Sequence, residues 1–396
     1  MKILVATFTY SPNVDGVAES ARLMVENFRS AGHEVRIATG KGTTPEANTP
    51  GPEPGVWRFG IAGSPALGDG FHGDIKEYQD FLRSYSPDVI VFHCWDTWPV
   101  ELAIPLLPTL RSKSILFSHG YASHLLNFKI LPHGLRKWLR WLPHFASLPW
   151  RLRRFDKVVF LSTRTDLNRF FDVWVAHKTR CRNTTMMPNG INTAGWQTIP
   201  ANFRESEHLG MGVFFLCVAN YLPVKNQEMA LNAYLLANIP NSVLVFIGSS
   251  LGDYGEAIQA TWNRLKKNHP ALDVRFLEHL NRERVITAVR SCDIAVLASV
   301  TEAQPLTLLE AMACAKPFIS TNVGCVSELK GGTIVRDAAE MAAQMRFLAA
   351  NHADRSKLGE EAKRCFDAHY SAEVTNPAWL NLIEEVVAPV SHSPPG

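Results

Sequence analysis

The 396-residue sequence contains no uninterrupted run of about 18 apolar residues, the length that a transmembrane helix needs. Its apolar start, residues 1–6, is too short to predict a secretory signal peptide. It also has no internal repeat and no low-complexity tract. We therefore expect a cytoplasmic chain without a membrane-spanning helix.

Clustered metal ligands and paired cysteines are missing as well. The seven cysteines are scattered, odd in number and never spaced as CxxC, which argues against a disulfide framework or a structural zinc. We expect reduced, mostly buried thiols. No DxD cluster or HxxxH pair occurs, so the sequence predicts no metal and no cofactor. His93, Cys94 and Asp96 could suggest a metal site, but their position at a strand end favours cleft lining.

Charged residues make up only 19% of the chain, and their signs are unevenly distributed. The net charge is +3, yet residues 1–195 carry 23 Lys and Arg against 16 Asp and Glu. This first half is therefore basic and the remainder acidic. A basic half predicts a negatively charged partner.

Short apolar runs alternate with helical patterns along nearly the whole chain. The first half predicts a helix over 17–30 and strands at 3–8, 35–38, 89–92, 114–117, 158–161 and 184–187. After a polar stretch at 193–207 the pattern restarts, with strands at 213–218, 243–247, 274–276, 294–297 and 318–320. Helices are predicted to begin near residues 226, 254, 282, 305 and 338. Runs that are apolar throughout indicate parallel strands covered by helices on both faces.

The alternation predicts an α/β fold of two doubly wound, Rossmann-like domains that face a central cleft. The first domain would span residues 1–195 and the second 196–371. A final helix, about 372–390, would cross back onto the first domain. Ligands of such sheets bind at the carboxyl ends of the strands, so the loops there are the candidate site.

The segment 301–312 combines two carboxylates with the start of a helix. Glu302 follows a predicted strand, Pro305 lies at the first helical turn, and Glu310 lies about a turn and a half into the helix. Carboxylates accept hydrogen bonds from vicinal hydroxyls, and the N–H groups of a helix start suit a diphosphate. The alternative is a surface glutamate followed by an ordinary helical one.

This segment resembles the Glu-x7-Glu motif of the retaining glycosyltransferases of family 4, the "glycosyl transferases group 1" with the GT-B fold. Other segments resemble the same family in the same order along nearly the whole chain. They are the N-terminal glycine loop 12–17, the strand-end histidine segment 118–120, the short markers 161–162 and 188–192, and the basic donor loop 218–226.

The resemblance implies that the second domain binds a UDP or GDP sugar and that the first binds the acceptor. Lys225 would contact the diphosphate, Glu302 the sugar hydroxyls and Glu310 the ribose. The other donor-binding positions would be Asn220, Pro305, Leu306 and Thr307. A solvated lysine before a helix remains the alternative for Lys225.

Two residues of the first domain also receive roles from the resemblance. His119 would lie near the transferred sugar and bond its 6-hydroxyl, so that the catalytic set would be His119, Glu302 and Lys225. Gly16 would let the backbone approach the donor phosphates without a Cβ clash. A structural histidine and a plain tight turn remain the alternatives.

The resemblance further implies a retaining, metal-independent hexosyltransferase without a protein nucleophile. The leaving diphosphate would accept the acceptor's proton, and the protein would supply positioning and charge stabilisation. The acceptor would be a glycan or a lipid-linked glycan, in surface polysaccharide, lipopolysaccharide or glycolipid synthesis.

The sequence departs from the family at several positions. Asn220 and Leu222 stand where relatives carry an arginine, with Arg282 and Arg336 as candidate substitutes. Asp15 replaces the first glycine of the N-terminal loop, where it could repel phosphate or contact the acceptor. Alanines replace two frequent glycines, at Ala303 and Ala315. These changes keep two alternatives open: a catalytically degraded binder of a nucleotide sugar or a membrane partner, and a nucleotide-sugar epimerase.

The excess positive charge of the first half is concentrated in residues 126–157, which contain eight Lys and Arg, three Trp and one Asp. Basic residues beside tryptophans suit a helix that lies on an anionic membrane surface. The predicted membrane-facing residues are Arg136, Lys137, Trp138, Arg140 and Trp141. Packing of the aromatic residues into the first domain is the alternative. We expect no nucleic-acid partner, because no RNA or DNA motif accompanies the segment.

Overall fold

The computed structural model describes residues 1–13, 15–41, 55–64, 70–121, 134–165, 169–200 and 202–388, and only the backbone of residues 64 and 134–141. The chain divides into two compact units. Unit 1 comprises residues 1–190 and 375–396, and unit 2 comprises residues 191–374. The predicted boundary lies slightly later, after residue 195, and the predicted return to the first domain lies slightly earlier, at residue 372.

Unit 1 is built on a seven-stranded parallel sheet with the strand order β3-β2-β1-β6-β7-β8-β9. The strands are β1 (Lys2–Ala6), β2 (Glu34–Gly40), β3 (Val56–Phe59), β6 (Val89–His93), β7 (Lys113–Ser118), β8 (Lys157–Phe160) and β9 (Thr184–Met186). A separate antiparallel pair is formed by β4 (Ile61–Ser64) and β5 (Gly70–Gly73). The central strands are buried on both faces, as their continuous apolar runs require.

The helices of unit 1 lie between these strands in the chain. They are α1 (Gly16–Ser30), α2 (Ile75–Tyr85), α3 (Trp98–Glu101), α4 (Gly134–Leu152) and α5 (Phe171–Lys178). Asp15 caps α1, because its carboxylate accepts hydrogen bonds from the backbone N–H groups of Val17 and Ala18, each at 2.9 Å.

Unit 2 contains a six-stranded parallel sheet with the strand order β12-β11-β10-β13-β14-β15. The strands are β10 (Phe214–Val218), β11 (Val243–Gly248), β12 (Asp273–Glu278), β13 (Ile294–Leu297), β14 (Phe318–Thr321) and β15 (Gly332–Val335). The chain order reverses between β10 and β13, which is the switch point of a doubly wound sheet.

The helices of unit 2 begin close to the predicted positions. They are α6 (Phe203–Ser206), α7 (Gln227–Ala237), α8 (Gly252–Leu265), α9 (Arg282–Ser291), α10 (Leu306–Ala313), α11 (Ala338–Ala350) and α12 (His352–His369), and a 3-10 turn covers Pro223–Lys225. The last helix, α13 (Ala372–Val387), returns to unit 1, where Trp379 packs edge-to-face on Phe117.

The prediction of two doubly wound α/β units is confirmed. The sequence analysis missed β3, β4, β5 and β15, which are short and, except for β3, contain glycine. All seven cysteines are free thiols; Cys217, Cys292 and Cys325 are buried, and the other four are partly buried. Within the described residues, no helix is long and apolar enough to cross a membrane.

Candidate functional site

The switch point of unit 2 brings together two of the predicted donor-binding residues. Lys225 follows β10 and Glu302 follows β13, and these two strands are neighbours in the sheet. The Lys225 ammonium donates a hydrogen bond of 2.7 Å to Oε1 of Glu302. An ion pair between two residues 77 positions apart therefore bridges the point where the strand order reverses.

Ser299 is a third member of this group that the sequence analysis did not single out. Its hydroxyl donates to the same Glu302 oxygen, also at 2.7 Å. Within the described residues, neither the Lys225 ammonium nor the Glu302 carboxylate makes another hydrogen bond. Two of the three ammonium protons and the oxygen Oε2 therefore remain available to a ligand.

The loop that carries Glu302 is held by its neighbours on both sides. The N–H of Val300 donates to the carbonyl of Val224 at 2.8 Å, and the N–H of Cys325 donates to the carbonyl of Ala303 at 2.9 Å. Gly324 lies against this loop with a φ of 53°, and a Cβ there would lie 2.1 Å from the Ala303 oxygen. Only glycine fits this position without displacing the loop.

Glu310, the second carboxylate of the motif, lies on α10 and is almost fully buried. It forms an ion pair of 2.5 Å with Arg282, the first residue of α9. The Arg282 guanidinium also lies 5.7 Å from the centre of the Trp196 ring. Arg282 is thus engaged with Glu310, and Arg336, the other candidate substitute for the absent donor-loop arginine, is paired with Glu340.

The remaining predicted donor-binding positions line the same two loops of unit 2. Asn220 accepts a hydrogen bond from the N–H of Ser249 at 3.3 Å, which connects the loops after β10 and β11. Pro305 precedes α10 as its N-cap, and Leu306 and Thr307 form the first turn, where both are partly exposed. The N–H groups of this turn lack carbonyl partners within the helix, as at every helix start.

In unit 1, His119 packs against a second histidine, His93, for which the sequence analysis favoured cleft lining over a metal site. Nδ1 of His93 and Nε2 of His119 lie 3.0 Å apart, so the two rings share one hydrogen bond. Burial lowers the pKa of His93 to about 3. Burial and the neighbouring His93 and Arg169 hold the pKa of His119 well below its usual range. Both rings are neutral near pH 7, so His119 can offer a hydrogen bond but no positive charge.

Gly16 is the exposed first residue of α1, and its neighbour Asp15 is fully engaged. Besides capping the helix, the Asp15 carboxylate accepts a hydrogen bond of 2.7 Å from the Thr9 hydroxyl. Asp15 therefore places a carboxylate at the start of α1 itself, where it caps the helix.

A buried carboxylate on α5 supports the loops near His119. Oδ2 of Asp172 accepts hydrogen bonds from the Trp95 indole at 2.9 Å and from the Ser118 hydroxyl at 2.5 Å. Burial raises the pKa of Asp172 to about 6. Its neighbours in the sequence, Phe171 and Val173, gave no signal of this role.

Three potential metal ligands converge in unit 1, and only Asp96 among them belongs to the set that the sequence analysis considered and set aside. Ligand atoms of Asp96, Glu101 and His144 lie within 4.8 Å of one another. They are already linked, because His144 contacts Asp96 and Arg151 contacts Glu101. Arg151 also donates to Nδ1 of His144 at 3.2 Å, so the His144 proton is on Nε2 and faces Asp96. The group is therefore a network of two carboxylates and one histidine around the guanidinium of Arg151.

The predicted membrane-facing residues Arg136, Lys137, Trp138, Arg140 and Trp141 have side chains that lie outside the described part of the chain. Residues 134–140 do belong to the helix α4. Further along α4, the exposed side chains include Leu142 (43% exposed) and Trp150 (50% exposed). The Arg154 guanidinium lies 4.1 Å from the centre of the Trp150 ring.

Comparison with known proteins identifies the class. The family model for glycosyl transferases group 1 matches residues 198–364, and the model for the glycosyl transferase 4-like domain matches residues 15–168. The two matches fall on the two units and together span most of the chain. The chain therefore belongs to the GT-B glycosyltransferases of group 1, and it is a glycosyltransferase.

Individual relatives are distant but cover nearly the whole length. Glycogen synthase of Mycobacterium tuberculosis is 23% identical over 405 residues, which are 92% of this chain and 90% of that protein. The structure resembles that of sucrose-phosphate synthase from Thermosynechococcus elongatus (TM-score 0.76, 17% identity, 97% and 98% of the two chains). It also resembles Anabaena HepE in complex with UDP and glucose (TM-score 0.70, 14% identity, 97% and 99% of the chains).

Proposed function

We propose that this glycosyltransferase transfers a hexose from a nucleoside-diphosphate sugar to a glycan or lipid-linked acceptor, with retention of anomeric configuration and without a metal. The observation that carries the proposal is the Lys225–Glu302 pair at the switch point of unit 2, which keeps spare donors and a spare acceptor. Lys225 binds the diphosphate, Glu302 the sugar hydroxyls and Glu310 the ribose. HepE, a fold relative, binds UDP and UDP-glucose, which supports a UDP sugar as the first donor to test.

The reaction needs stabilisation of the negative charge that develops on the leaving diphosphate. The Lys225 ammonium supplies a fixed cation, and the N–H groups at the start of α10, beside Leu306 and Thr307, supply the positive end of a helix. We propose that these groups take the place of a metal. His119, being neutral, is suited to bond an uncharged sugar hydroxyl rather than a phosphate.

Calorimetric titration tests the donor proposal. The protein is titrated with UDP, GDP and ADP and then with UDP-glucose, GDP-mannose and ADP-glucose, each in the presence of a chelator. We expect one nucleotide to bind, and its sugar conjugate to release the nucleoside diphosphate when an acceptor is supplied. Binding that requires a divalent metal, or no binding to any of the six compounds, contradicts the proposal.

A binder without transferase activity is the second candidate, and one observation favours it. The family's donor-loop arginine is absent, and both substitutes, Arg282 and Arg336, are engaged in ion pairs. For this candidate, titration would show binding while no nucleoside diphosphate is released with any acceptor. Interconversion of the sugar nucleotide without an acceptor would instead indicate an epimerase.

We propose a lipid-linked acceptor at the cytoplasmic face of a membrane, in polysaccharide, lipopolysaccharide or glycolipid synthesis. The exposed Leu142 and Trp150 on α4 and the basic residues that accompany them support this. Replacing Arg136, Lys137 and Arg140 by glutamine should release the protein from phosphatidylglycerol vesicles at low salt.

The matched control replaces three basic residues of unit 2, Arg264, Lys266 and Lys267, by glutamine, because it changes the net charge by the same amount. This control variant should remain bound to the vesicles. Equal release of both variants would show that vesicle binding depends on the overall charge and not on the basic residues of α4.

A further inference from the structure

We infer that Ser299 is a positioning residue that determines how the donor sugar is recognised. Together with Lys225 it saturates one oxygen of Glu302 and leaves the other oxygen, Oε2, as the atom that binds sugar hydroxyls. This inference rests on the proposed function, because it deepens the role of Glu302 in the same site.

Ser299 is itself held firmly at the end of β13. It is 1% exposed, and its carbonyl accepts a hydrogen bond of 2.7 Å from the Thr321 hydroxyl on the neighbouring strand β14. Its own hydroxyl lies 2.7 Å from Oε1 of Glu302. A short bond from a fixed, buried donor restricts the orientation of the carboxylate, because rotation of the carboxylate would break it.

The second donor to Oε1 is the Lys225 ammonium, also at 2.7 Å. A carboxylate oxygen has two lone pairs, so these two donors fill Oε1. Within the described residues, Oε2 makes no hydrogen bond, and the Glu302 side chain is 13% exposed. A sugar hydroxyl that reaches Glu302 can therefore donate only to Oε2, and Oε2 can accept at most two such hydroxyls.

The Ser299 hydroxyl is not required to hold the loop backbone. That loop is fixed independently by the bonds from the Val300 N–H to Val224 and from the Cys325 N–H to Ala303. The hydroxyl has the Glu302 carboxylate as its partner. Removing the hydroxyl should therefore disturb the carboxylate more than the fold.

The donor nucleotide identified by titration of the wild type provides the probe, with UDP and UDP-glucose as the first pair. For Ser299→Ala we expect the Kd of UDP to stay within about twofold, because Lys225 and Glu310 are intact. The Kd of UDP-glucose should rise about tenfold, because the sugar contact with Oε2 loses its fixed geometry. Ser299→Cys, whose thiol is a weaker donor of similar size, should have a Kd for UDP-glucose between those of the wild type and Ser299→Ala.

Ser242→Ala is the matched control. Ser242 is a buried serine of unit 2 (3% exposed) that bonds the Ile239 carbonyl and precedes β11, at the amino ends of the strands. Its replacement should lower the thermal midpoint but leave the affinity for the sugar unchanged. Equal weakening of UDP and UDP-glucose in Ser299→Ala would overturn the inference, and so would an unchanged affinity for UDP-glucose.

A double-mutant cycle with Glu302→Gln tests whether Ser299 acts through Glu302. If it does, adding Ser299→Ala to Glu302→Gln has no further effect on the affinity for UDP-glucose. Additive losses would show that Ser299 acts elsewhere and refute the inference, while the proposed function stands. If the wild type binds none of the nucleotide sugars, the proposed function itself has failed.

Discussion

Lys225→Ala removes the cation that the proposed function assigns to the donor diphosphate. The Lys225 side chain is 25% exposed, and its ammonium is bonded to one oxygen of Glu302, with two protons left for phosphate oxygens. We expect the variant to keep its fold, because the backbone of the loop is fixed by Val300 and Val224. Transfer should be abolished, and binding of the nucleoside diphosphate should be weakened.

The size of the effect follows from three contributions. A charge-assisted hydrogen bond to phosphate contributes about 1.5–3 kcal/mol. Partial exposure and the existing pair with Glu302 reduce the contribution, because Lys225 is not an isolated charge in the free protein. Loss of the lysine also leaves the Glu302 carboxylate beside the phosphates, which repels them. We therefore expect the Kd for UDP to rise about 10- to 100-fold.

Titration calorimetry of the wild type and Lys225→Ala with UDP, at low and at high salt, measures this change. The salt dependence should be weaker in the variant, because one phosphate-binding charge is gone. Lys363→Ala is the control, since Lys363 is another lysine of unit 2 that pairs with a carboxylate, that of Asp367. An unchanged Kd and salt dependence in Lys225→Ala would refute the assignment of Lys225 to the diphosphate.

Four further predictions concern residues whose surroundings are equally specific. Glu310→Gln should reduce the preference for UDP over 2′-deoxy-UDP about tenfold, because the ribose loses a charged acceptor; parallel titrations measure the ratio. Gly324→Ala should destabilise the protein by at least about 2 kcal/mol in urea unfolding, through a clash with the Glu302 loop. Gly252→Ala is its control, since Gly252 has a φ of 52° but open space around it. Ala315→Gly should stabilise by about 1 kcal/mol, because Ala315 has a φ of 54°; an unchanged urea midpoint would contradict this. Burial raises the folded-state pKa of Asp172 from 3.8 to about 6, so folding takes up a proton between these values. The stability of the wild type relative to Asp172→Asn should therefore fall by about 3 kcal/mol as the pH rises from about 4 to above 6, and a constant difference would contradict the burial argument.

The strands were the most predictable part of the fold. Strands such as β1 and β6 contain uninterrupted apolar runs because both of their faces are covered, and such runs are visible in the sequence. The short strand β15 begins with glycine and only its last residue is fully buried, so its pattern carries little signal. Residues 352–369 form a helix that was not assigned separately, because it follows α11 after the single residue Asn351.

The residue types at the proposed donor site could be predicted from the motif, but their pairings could not. The resemblance pointed to Lys225, Glu302 and Glu310 individually. That Lys225 and Ser299 share one oxygen of Glu302, and that Arg282 neutralises Glu310, depends on contacts between different loops. Contacts between loops follow no periodic pattern in the sequence, so they cannot be predicted from one sequence alone.

The same is true of the buried groups in unit 1. His93 is the last residue of β6 and Asp172 lies in the first turn of α5, and the sequence gave no signal of their contacts. Each nevertheless bonds a residue of the segment 118–120, which carries the predicted His119. Their pKa values reflect burial, which is a property of packing. Asp15 is a similar case, because its charge suggested an interaction with a ligand but gave no sign that its carboxylate caps α1.

The two ion pairs of unit 2 offer a way to distinguish effects on donor binding from effects on transfer. Both motif carboxylates are paired with a cation in the free protein, Glu302 with Lys225 and Glu310 with Arg282, so the site gains net negative charge when a diphosphate enters. Lys225 can serve Glu302 and a phosphate at once because an ammonium has three protons. The buried Glu310 can bond a ribose only where Arg282 leaves a lone pair uncovered. Arg282→Gln should therefore weaken UDP binding if Arg282 orients Glu310, and strengthen it if the ion pair competes with the ribose. A change in turnover without a change in UDP affinity would instead place Arg282 at the charge that develops during transfer.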